Sequence, residues 1–198
     1  MIKNVVFDIN GVLTNIISLE TVAAFDYSLK EGAVFIKLAS SEIWQQYDLG
    51  FYKTRESMIE DFCRLYPEDS EVIARVLRKP FRYTVNDKMV KFLVALKKKY
   101  NVYLLSNVGQ QDLDRIRDRK FMTVSDGGVF SCEEGCVKPD KKIYEKLIEK
   151  YGIIPEETVF IDDGAANVAA ARKMGFHAVR YITERRTESE VCRIIALE

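Results

Sequence analysis

The chain has 198 residues, 47% of them hydrophobic, which is enough for one well-packed core and a modest accessory domain. Its 30 basic and 30 acidic residues cancel, so the overall charge indicates no nucleic-acid partner and no attraction to an anionic membrane surface. No apolar run reaches membrane-spanning length and the first residues lack a secretory pattern, so we expect a cytoplasmic protein without a membrane partner.

The first apolar run leads directly into an acid, an amide and a glycine. Val5-Val6-Phe7 is typical of a strand buried on both faces of a parallel sheet, and Asp8 follows at its carboxyl end. Open α/β sheets bind ligands at that edge, and Gly11 allows a sharp turn that keeps backbone amides open to an anion. Asp8 is therefore a candidate nucleophile or metal ligand; the alternative is a carboxylate that only caps the turn.

The segment from about Ile16 to Val85 shows amphipathic helical patterns and no convincing strand, which predicts a helical insert. A capped helix is predicted to follow Thr54 and to end before Pro67, and Glu71 to Leu77 indicates another. Pro80 and the polar residues after it mark the return to the main domain. An aromatic cluster is typical of a small helical core, with a ligand pocket as the alternative; its members are Trp44, Tyr47, Phe51 and Tyr52.

From Asp87 onward the pattern alternates between helix and strand, beginning with an amphipathic helix that contains Met89. The apolar run that ends at Leu105 predicts a second buried strand, with Ser106 and Asn107 at its carboxyl end. A hydroxyl and an amide at that position can hold an anion, and an ordinary turn explains them equally well.

Charged residues follow at two later positions of the same pattern. Lys138 stands before Pro139 and Asp140, which suit the first turn of a helix, and it is either a site residue or a solvated loop lysine. Asp162 and Asp163 come directly after a predicted buried strand and before a glycine and an alanine-rich helix. Adjacent carboxylates repel unless a cation lies between them, so a hard divalent ion such as Mg²⁺ is indicated; the alternative is an acidic helix start.

The few cysteines and the single histidine restrict the possible chemistry. Cys132 and Cys136 are close in sequence, but zinc needs further ligands and His177 is the only histidine, so free thiols are expected. Ser-His-Asp and Cys-His arrangements need an imidazole beside the nucleophile, and His177 is expected at the edge of the core instead. Glycine-rich nucleotide-binding motifs are absent from the sequence, so any chemistry depends on carboxylates.

Together, Asp8, Ser106-Asn107, Lys138 and Asp162-Asp163 occur in an order that resembles the haloacid dehalogenase (HAD) superfamily of hydrolases, mostly phosphatases. The resemblance covers residues 1–14 and 86–198 and implies an α/β core with a doubly wound, Rossmann-like parallel sheet. Residues 15–85 fall where this superfamily inserts a helical cap domain after its first motif. Within the superfamily, the sequence is most similar to the small-molecule phosphatase-like branch.

Carried over to this chain, the resemblance makes Asp8 the nucleophile that takes a phosphoryl group as an aspartyl phosphate. Lys138 offsets negative charge and helps to hold the phosphate. Ser106 and the backbone near Asn107 and Gly11 bind phosphoryl oxygens. The implied substrate is a small phosphorylated metabolite, and the protein is expected to be a monomer or a homodimer.

The implied metal is Mg²⁺, held by Asp8, the backbone carbonyl of Asn10 and Asp163, with Asp162 as a further ligand or a neighbour of the ligands. The sequence departs from the phosphatase pattern Asp-x-Asp, because Asn10 stands where the second acid protonates the leaving oxygen and later activates water. An amide can do neither, which costs about 10²–10⁴ in rate unless another group substitutes.

Three interpretations of Asn10 stay open: hydrolysis of substrates with good leaving groups, binding of phosphates or of a partner without turnover, and haloacid dehalogenation. The pair Asp162-Asp163 disfavours dehalogenation, because displacing halide with a carboxylate needs no magnesium. We therefore favour a phosphatase.

Overall fold

The computed structural model describes residues 1–15, 27–79 and 84–196. Ile16, the predicted start of the insert, and Pro80, the predicted start of the return to the main domain, lie outside these ranges. The sheet is built from β1 (Asn4–Phe7), β2 (Asn101–Ser106), β3 (Gly127–Phe130), β4 (Thr158–Asp162) and β5 (His177–Arg180). All pairings are parallel and the strand order is β3-β2-β1-β4-β5, so the strand that precedes Asp8 lies at the centre of the sheet, as predicted.

The described part of the insert is helical. Its helices are α1 (Leu29–Ala39), α2 (Glu42–Asp48), α3 (Arg55–Leu65) and α4 (Ser70–Arg78), with a 3₁₀ turn at Pro67–Asp69. The predicted cap at Thr54 is confirmed, because its side chain accepts a hydrogen bond from the Ser57 amide at the start of α3. These helices enclose a hydrophobic cluster separate from the sheet, including Tyr47, Met58 and Phe62.

Helices cover both faces of the sheet, which confirms the doubly wound α/β architecture. They are α5 (Asp87–Leu96), α6 (Gln110–Ile116), α7 (Lys120–Val124), α8 (Ser131–Glu134), α9 (Lys141–Tyr151), α10 (Ala165–Lys173) and α11 (Glu184–Ala196). Because side chains alternate along a strand, Val5 and Phe7 pack with α5 and α11 on one face, while Val6 packs with α9 and α10 on the other. Within the described residues, no helix is long and apolar enough to span a bilayer.

Two connections join the insert to the sheet side by side. Thr14 pairs antiparallel with Val85, and the Asn15 amide donates to the Thr84 carbonyl at 2.8 Å. Asn86 then caps α5 by accepting from the Met89 amide. The chain thus leaves the sheet after Asp8 and returns beside its point of exit, which holds the insert over the carboxyl edge of the sheet.

Candidate active site

The strand register brings the predicted acids together at one edge of the sheet. Phe7 of β1 pairs with Ile161 of β4, so the next residues, Asp8 and Asp162, lie level with each other. The Asp8 amide donates to the Ile161 carbonyl at 2.9 Å, which fixes the start of the loop after β1. Carboxylate oxygens of Asp8, Asp162 and Asp163 lie within 4.8 Å of one another, as the sequence interpretation required for a shared cation.

Lys138 is the buried cation of this cluster, with a side chain only 1% exposed. Its Nζ lies 2.8 Å from Asp8 Oδ1 and 2.7 Å from Asp162 Oδ2, and it donates to the Leu105 carbonyl at 2.9 Å. These acceptors use all three ammonium hydrogens. Burial alone would lower the pKa of Lys138, but the charges of Asp8 and Asp162 outweigh it and raise the pKa, so the lysine stays protonated.

One lysine does not neutralise three carboxylates. Burial raises the pKa of Asp8 to about 8; Lys138 opposes this shift, whereas Asp162 and Asp163 reinforce it. Burial and the charge of Asp162 also raise the pKa of Asp163. A divalent cation would relieve this repulsion, so the donor set fits Mg²⁺.

Asp162 differs from the other two acids because both of its oxygens accept hydrogen bonds from the protein. Oδ2 accepts from Lys138, while Oδ1 accepts from the Gly164 amide at 2.8 Å and from Asn167 Nδ2 at 2.9 Å. Asp162 therefore holds the lysine and the start of α10 in place. This role of Asn167 was not predicted, since one amide in an alanine-rich helix carries no signal of it.

Gly11 acts through its conformation. Its φ of +85° lies in the region that favours glycine, and a Cβ there would collide with the carboxylate of Asp163. The Gly11 amide donates to the Thr14 carbonyl at 2.8 Å. Its hydrogen is thus engaged in the turn, and the glycine serves to let Asp163 approach the loop.

Ser106 and Asn107 lie at the end of β2, next to Lys138. The Ser106 side chain is fully buried, and its hydroxyl makes a long contact of 3.4 Å to the Asn107 carbonyl. The side-chain amide of Asn107 makes two hydrogen bonds to the backbone of Lys138. Its Nδ2 donates to the Lys138 carbonyl at 2.9 Å, and its Oδ1 accepts from the Lys138 backbone amide at 2.8 Å. Asn107 therefore positions the lysine, a role that sequence reasoning did not identify.

Asn10 has its side chain fixed beside the same edge. Nδ2 donates to the Asn107 carbonyl at 3.2 Å, and Oδ1 accepts a long contact of 3.4 Å from the Thr14 hydroxyl. Asn10 also lines the cavity between the sheet edge and the insert. The side chain thus faces the cleft that the sequence interpretation assigned to it.

That cavity measures about 280 Å³ and lies between the sheet edge and helices α1 to α3. Its wall combines apolar and polar residues; besides Asn10, they include Phe35, Ile36, Trp44, Asp48, Arg55, Asn107, Val108 and Asp112. Of the predicted aromatic cluster, Trp44 lines the cavity, Tyr47 is buried in the helical core, and Phe51 is 75% exposed. Of the two alternatives for this cluster, the ligand pocket therefore applies to Trp44 and the helical core to Tyr47.

Buried polar contacts hold the insert against the main domain. Asp112 of α6 accepts from Arg55 Nη2 and from the Tyr47 hydroxyl, both at 3.0 Å. The Ser131 hydroxyl donates to the Asp48 carbonyl at 2.6 Å. His177 takes no part in the site, because it is exposed at the start of β5 and contacts the Glu156 carbonyl.

A doubly wound α/β fold binds its ligands at the carboxyl ends of the strands, and here that edge carries an acid cluster and a buried lysine. A family model described as haloacid dehalogenase-like hydrolase matches residues 2–175, and the chain belongs to this family. The resemblance found in the sequence is thereby confirmed.

Two curated relatives are phosphatases. The chain is 28% identical to a D-ribitol-5-phosphate phosphatase of Bacteroides thetaiotaomicron, over 89% of this chain and 90% of the relative. It is 27% identical to a sesquiterpene phosphatase of Aspergillus oryzae, over 87% of this chain and 86% of the relative. A HAD family enzyme from B. thetaiotaomicron, solved as a magnesium complex, superimposes with a TM-score of 0.71 at 25% identity, covering 91% of this chain and 93% of that one. The same enzyme has also been solved with magnesium and inorganic phosphate.

Proposed function

We propose that the protein is a magnesium-dependent phosphatase that acts on a small phosphorylated metabolite through an aspartyl phosphate on Asp8. The observation that carries this proposal is the position of Asp8, buried at the end of the central strand, 2.8 Å from Lys138 and within 4.8 Å of two further carboxylates. An anionic nucleophile can attack an anionic phosphate only where positive charge offsets the repulsion. Lys138 supplies one positive charge at this edge, and a magnesium ion would supply the rest.

For magnesium, we propose Asp8 and Asp163 as side-chain ligands and the backbone carbonyl of Asn10 as a third. Asp162 is already engaged through both oxygens and would hold the surrounding groups in place. When bound, magnesium neutralises charge on the phosphoryl oxygens and on the nucleophile.

The remaining steps belong to residues of this chain. Asp8 attacks phosphorus and the bond to the leaving oxygen breaks, which leaves the phosphoryl group on the carboxylate. Lys138 stays protonated and balances negative charge beside Asp8, while the Ser106 hydroxyl is available to a phosphoryl oxygen. The insert excludes bulk water because it lies over the edge, with the cavity between them as the space for the leaving group.

Asn10 supports the second candidate, a protein that binds phosphometabolites or a partner without turnover. Its side chain is held between Asn107 and Thr14 and cannot transfer a proton. Phosphate release from p-nitrophenyl phosphate and acetyl phosphate, measured with magnesium or with EDTA, distinguishes the two functions. We expect magnesium-dependent release; its absence with both substrates would exclude the phosphatase and leave binding alone.

Magnesium is expected to raise the Tm of the protein. At roughly ten times its Kd, a bound ion stabilises the fold by about 1.4 kcal/mol, or about 3–5 °C for a chain of this size. Differential scanning fluorimetry with millimolar magnesium measures this shift. Asp163→Asn should remove most of it, whereas Asp118→Asn, at a side chain 88% exposed, should leave it intact. An unchanged Tm in the wild type would contradict the proposed metal site.

A further inference from the structure

The proposed reaction needs a group that gives a proton to the leaving oxygen and later takes one from water. Asn10 cannot do this, and Lys138 is held by Asp8, Asp162 and the Leu105 carbonyl. A substitute must be a titratable side chain that faces the cavity from outside the nucleophile's own loop. Asp48 at the end of α2 meets this condition.

We propose that Asp48, carried by the insert, replaces the missing acid of the first motif as the general acid and base of this site. The proposal rests on the phosphatase function proposed above. It assigns to a helix of the insert the proton transfer that the loop after β1 cannot perform.

The position of Asp48 fits this role. It lines the cavity together with Asn10 and Asn107, and an adjoining cavity together with Asn107 and Lys138, so Asp48 lies where the two cavities meet. Its backbone is anchored, because the Ser131 hydroxyl donates to the Asp48 carbonyl at 2.6 Å. Among the described residues, no hydrogen-bond donor is engaged by its carboxylate, whereas the nearby carboxylate of Asp112 accepts from Arg55 and Tyr47.

The electrostatic surroundings of Asp48 suit proton transfer near neutral pH. Burial raises its pKa to about 7, and the charge of Asp112 adds to this effect, whereas Arg55 and Lys138 oppose it. Asp48 also ends a helix, where the helix dipole disfavours a negative charge. Strongly shifted pKa values of groups in a cleft are typical of functional sites.

The proton transfers balance over one cycle. As Asp8 attacks phosphorus, the bond to the leaving oxygen breaks, and that oxygen takes the proton of the Asp48 carboxyl group and leaves as an alcohol. The Asp48 carboxylate then takes a proton from water while the water oxygen attacks the aspartyl phosphate. Inorganic phosphate leaves, the Asp8 carboxylate is restored, and Asp48 is protonated again.

The test compares Asp48→Asn with the wild type on leaving groups of different quality. Among a panel of sugar and polyol phosphates, we expect kcat of every substrate the wild type hydrolyses to fall by about 10²–10⁴ in the variant. With p-nitrophenyl phosphate, whose leaving group departs without a proton, the variant should release one equivalent of p-nitrophenolate per active site at nearly the wild-type rate. Further turnover should then be slow, because water is no longer activated.

Two comparisons separate a chemical role from a structural one. The Tm of Asp48→Asn should equal or exceed that of the wild type, and Asp118→Asn should keep the wild-type kcat. Adding Asn10→Asp to Asp48→Asn should raise kcat about tenfold or more above that of Asp48→Asn alone, because it places a carboxyl group at the same cavity. In Asn10→Asp, a carboxyl oxygen takes the place of the amide nitrogen that donates to the Asn107 carbonyl. Because two oxygens repel unless one carries a proton, this contact favours the protonated carboxyl group that a general acid needs.

Three results overturn the inference. The first is turnover of alkyl phosphates by Asp48→Asn at the rate of the wild type, and the second is loss of the p-nitrophenolate burst to the same extent as alkyl-phosphate turnover. The third such result is a double variant, with Asn10→Asp added, whose kcat is no higher than that of Asp48→Asn. If the wild type itself releases no phosphate, the proposed function fails and this inference fails with it. An active wild type with an unaffected Asp48→Asn variant rejects the inference alone.

Discussion

Replacing Asp8 by asparagine is expected to abolish phosphate release, with a fall of about 10⁴ or more in kcat. The amide cannot form the aspartyl phosphate, an acyl phosphate, on which the proposed route depends. No other described carboxylate lies at the end of the central strand. Phosphate release from p-nitrophenyl phosphate under saturating magnesium measures the loss. The burst of p-nitrophenolate expected for Asp48→Asn should also disappear when Asp8→Asn is added.

Stability provides the control, because loss of activity must not reflect loss of the fold. Burial holds the pKa of Asp8 near 8, above its unfolded value, so ionised Asp8 opposes folding and this cost grows as the pH rises from about 4 to 8. In magnesium-free buffer, the Tm of the wild type should therefore fall more between pH 5 and pH 9 than that of Asp8→Asn. An Asp8→Asn variant that stays folded and still turns over substrate would refute the nucleophilic role.

The central strands were predictable because their sequences leave few alternatives. The runs before Asp8 and Asp162 consist of β-branched and aromatic residues that suit a strand covered on both faces. β3 was not predicted, because two of its four residues are glycines. The last helix, α11, was not predicted either, because Val191, Ile194 and Ile195 have helical spacing only in its second half and its first half is polar.

The site likewise contains residues whose positions could be predicted from the sequence and residues whose positions could not. Parallel strands must end at one edge, so residues at strand ends could be expected to meet before any contact was known. The role of Asn107 as a clamp on the backbone of Lys138 depends on the path of a loop, which sequence spacing does not determine. Asp48 lies 40 positions after Asp8 in a helical segment, and only the packing of α2 over the sheet edge brings it to the cavity.

Replacing Lys138 by methionine is expected to give the largest loss of stability, about 3–5 kcal/mol at neutral pH, together with loss of phosphate release. The substitution keeps an unbranched side chain but leaves Asp8 and Asp162 buried without their cation. Urea unfolding measures the loss. It should be smaller in an Asp162→Asn background, where one carboxylate is already neutral, and this comparison remains available if the single variant is poorly folded.

The pH dependence distinguishes lost charge from lost packing. Lys138 opposes the upward shift of the Asp8 pKa, so without it the folded-state pKa of Asp8 rises above about 8. The deficit relative to the wild type should therefore grow as the pH rises above about 8, where Asp8 is ionised in the folded wild type but its ionisation is more costly in the variant. Lys141→Met is the matched control, because that side chain is 73% exposed and its ion pair with Glu145 contributes at most about 0.5 kcal/mol. A deficit of Lys138→Met that is the same at pH 7 and at pH 9.5 would show that packing, and not charge, is what Lys138 contributes.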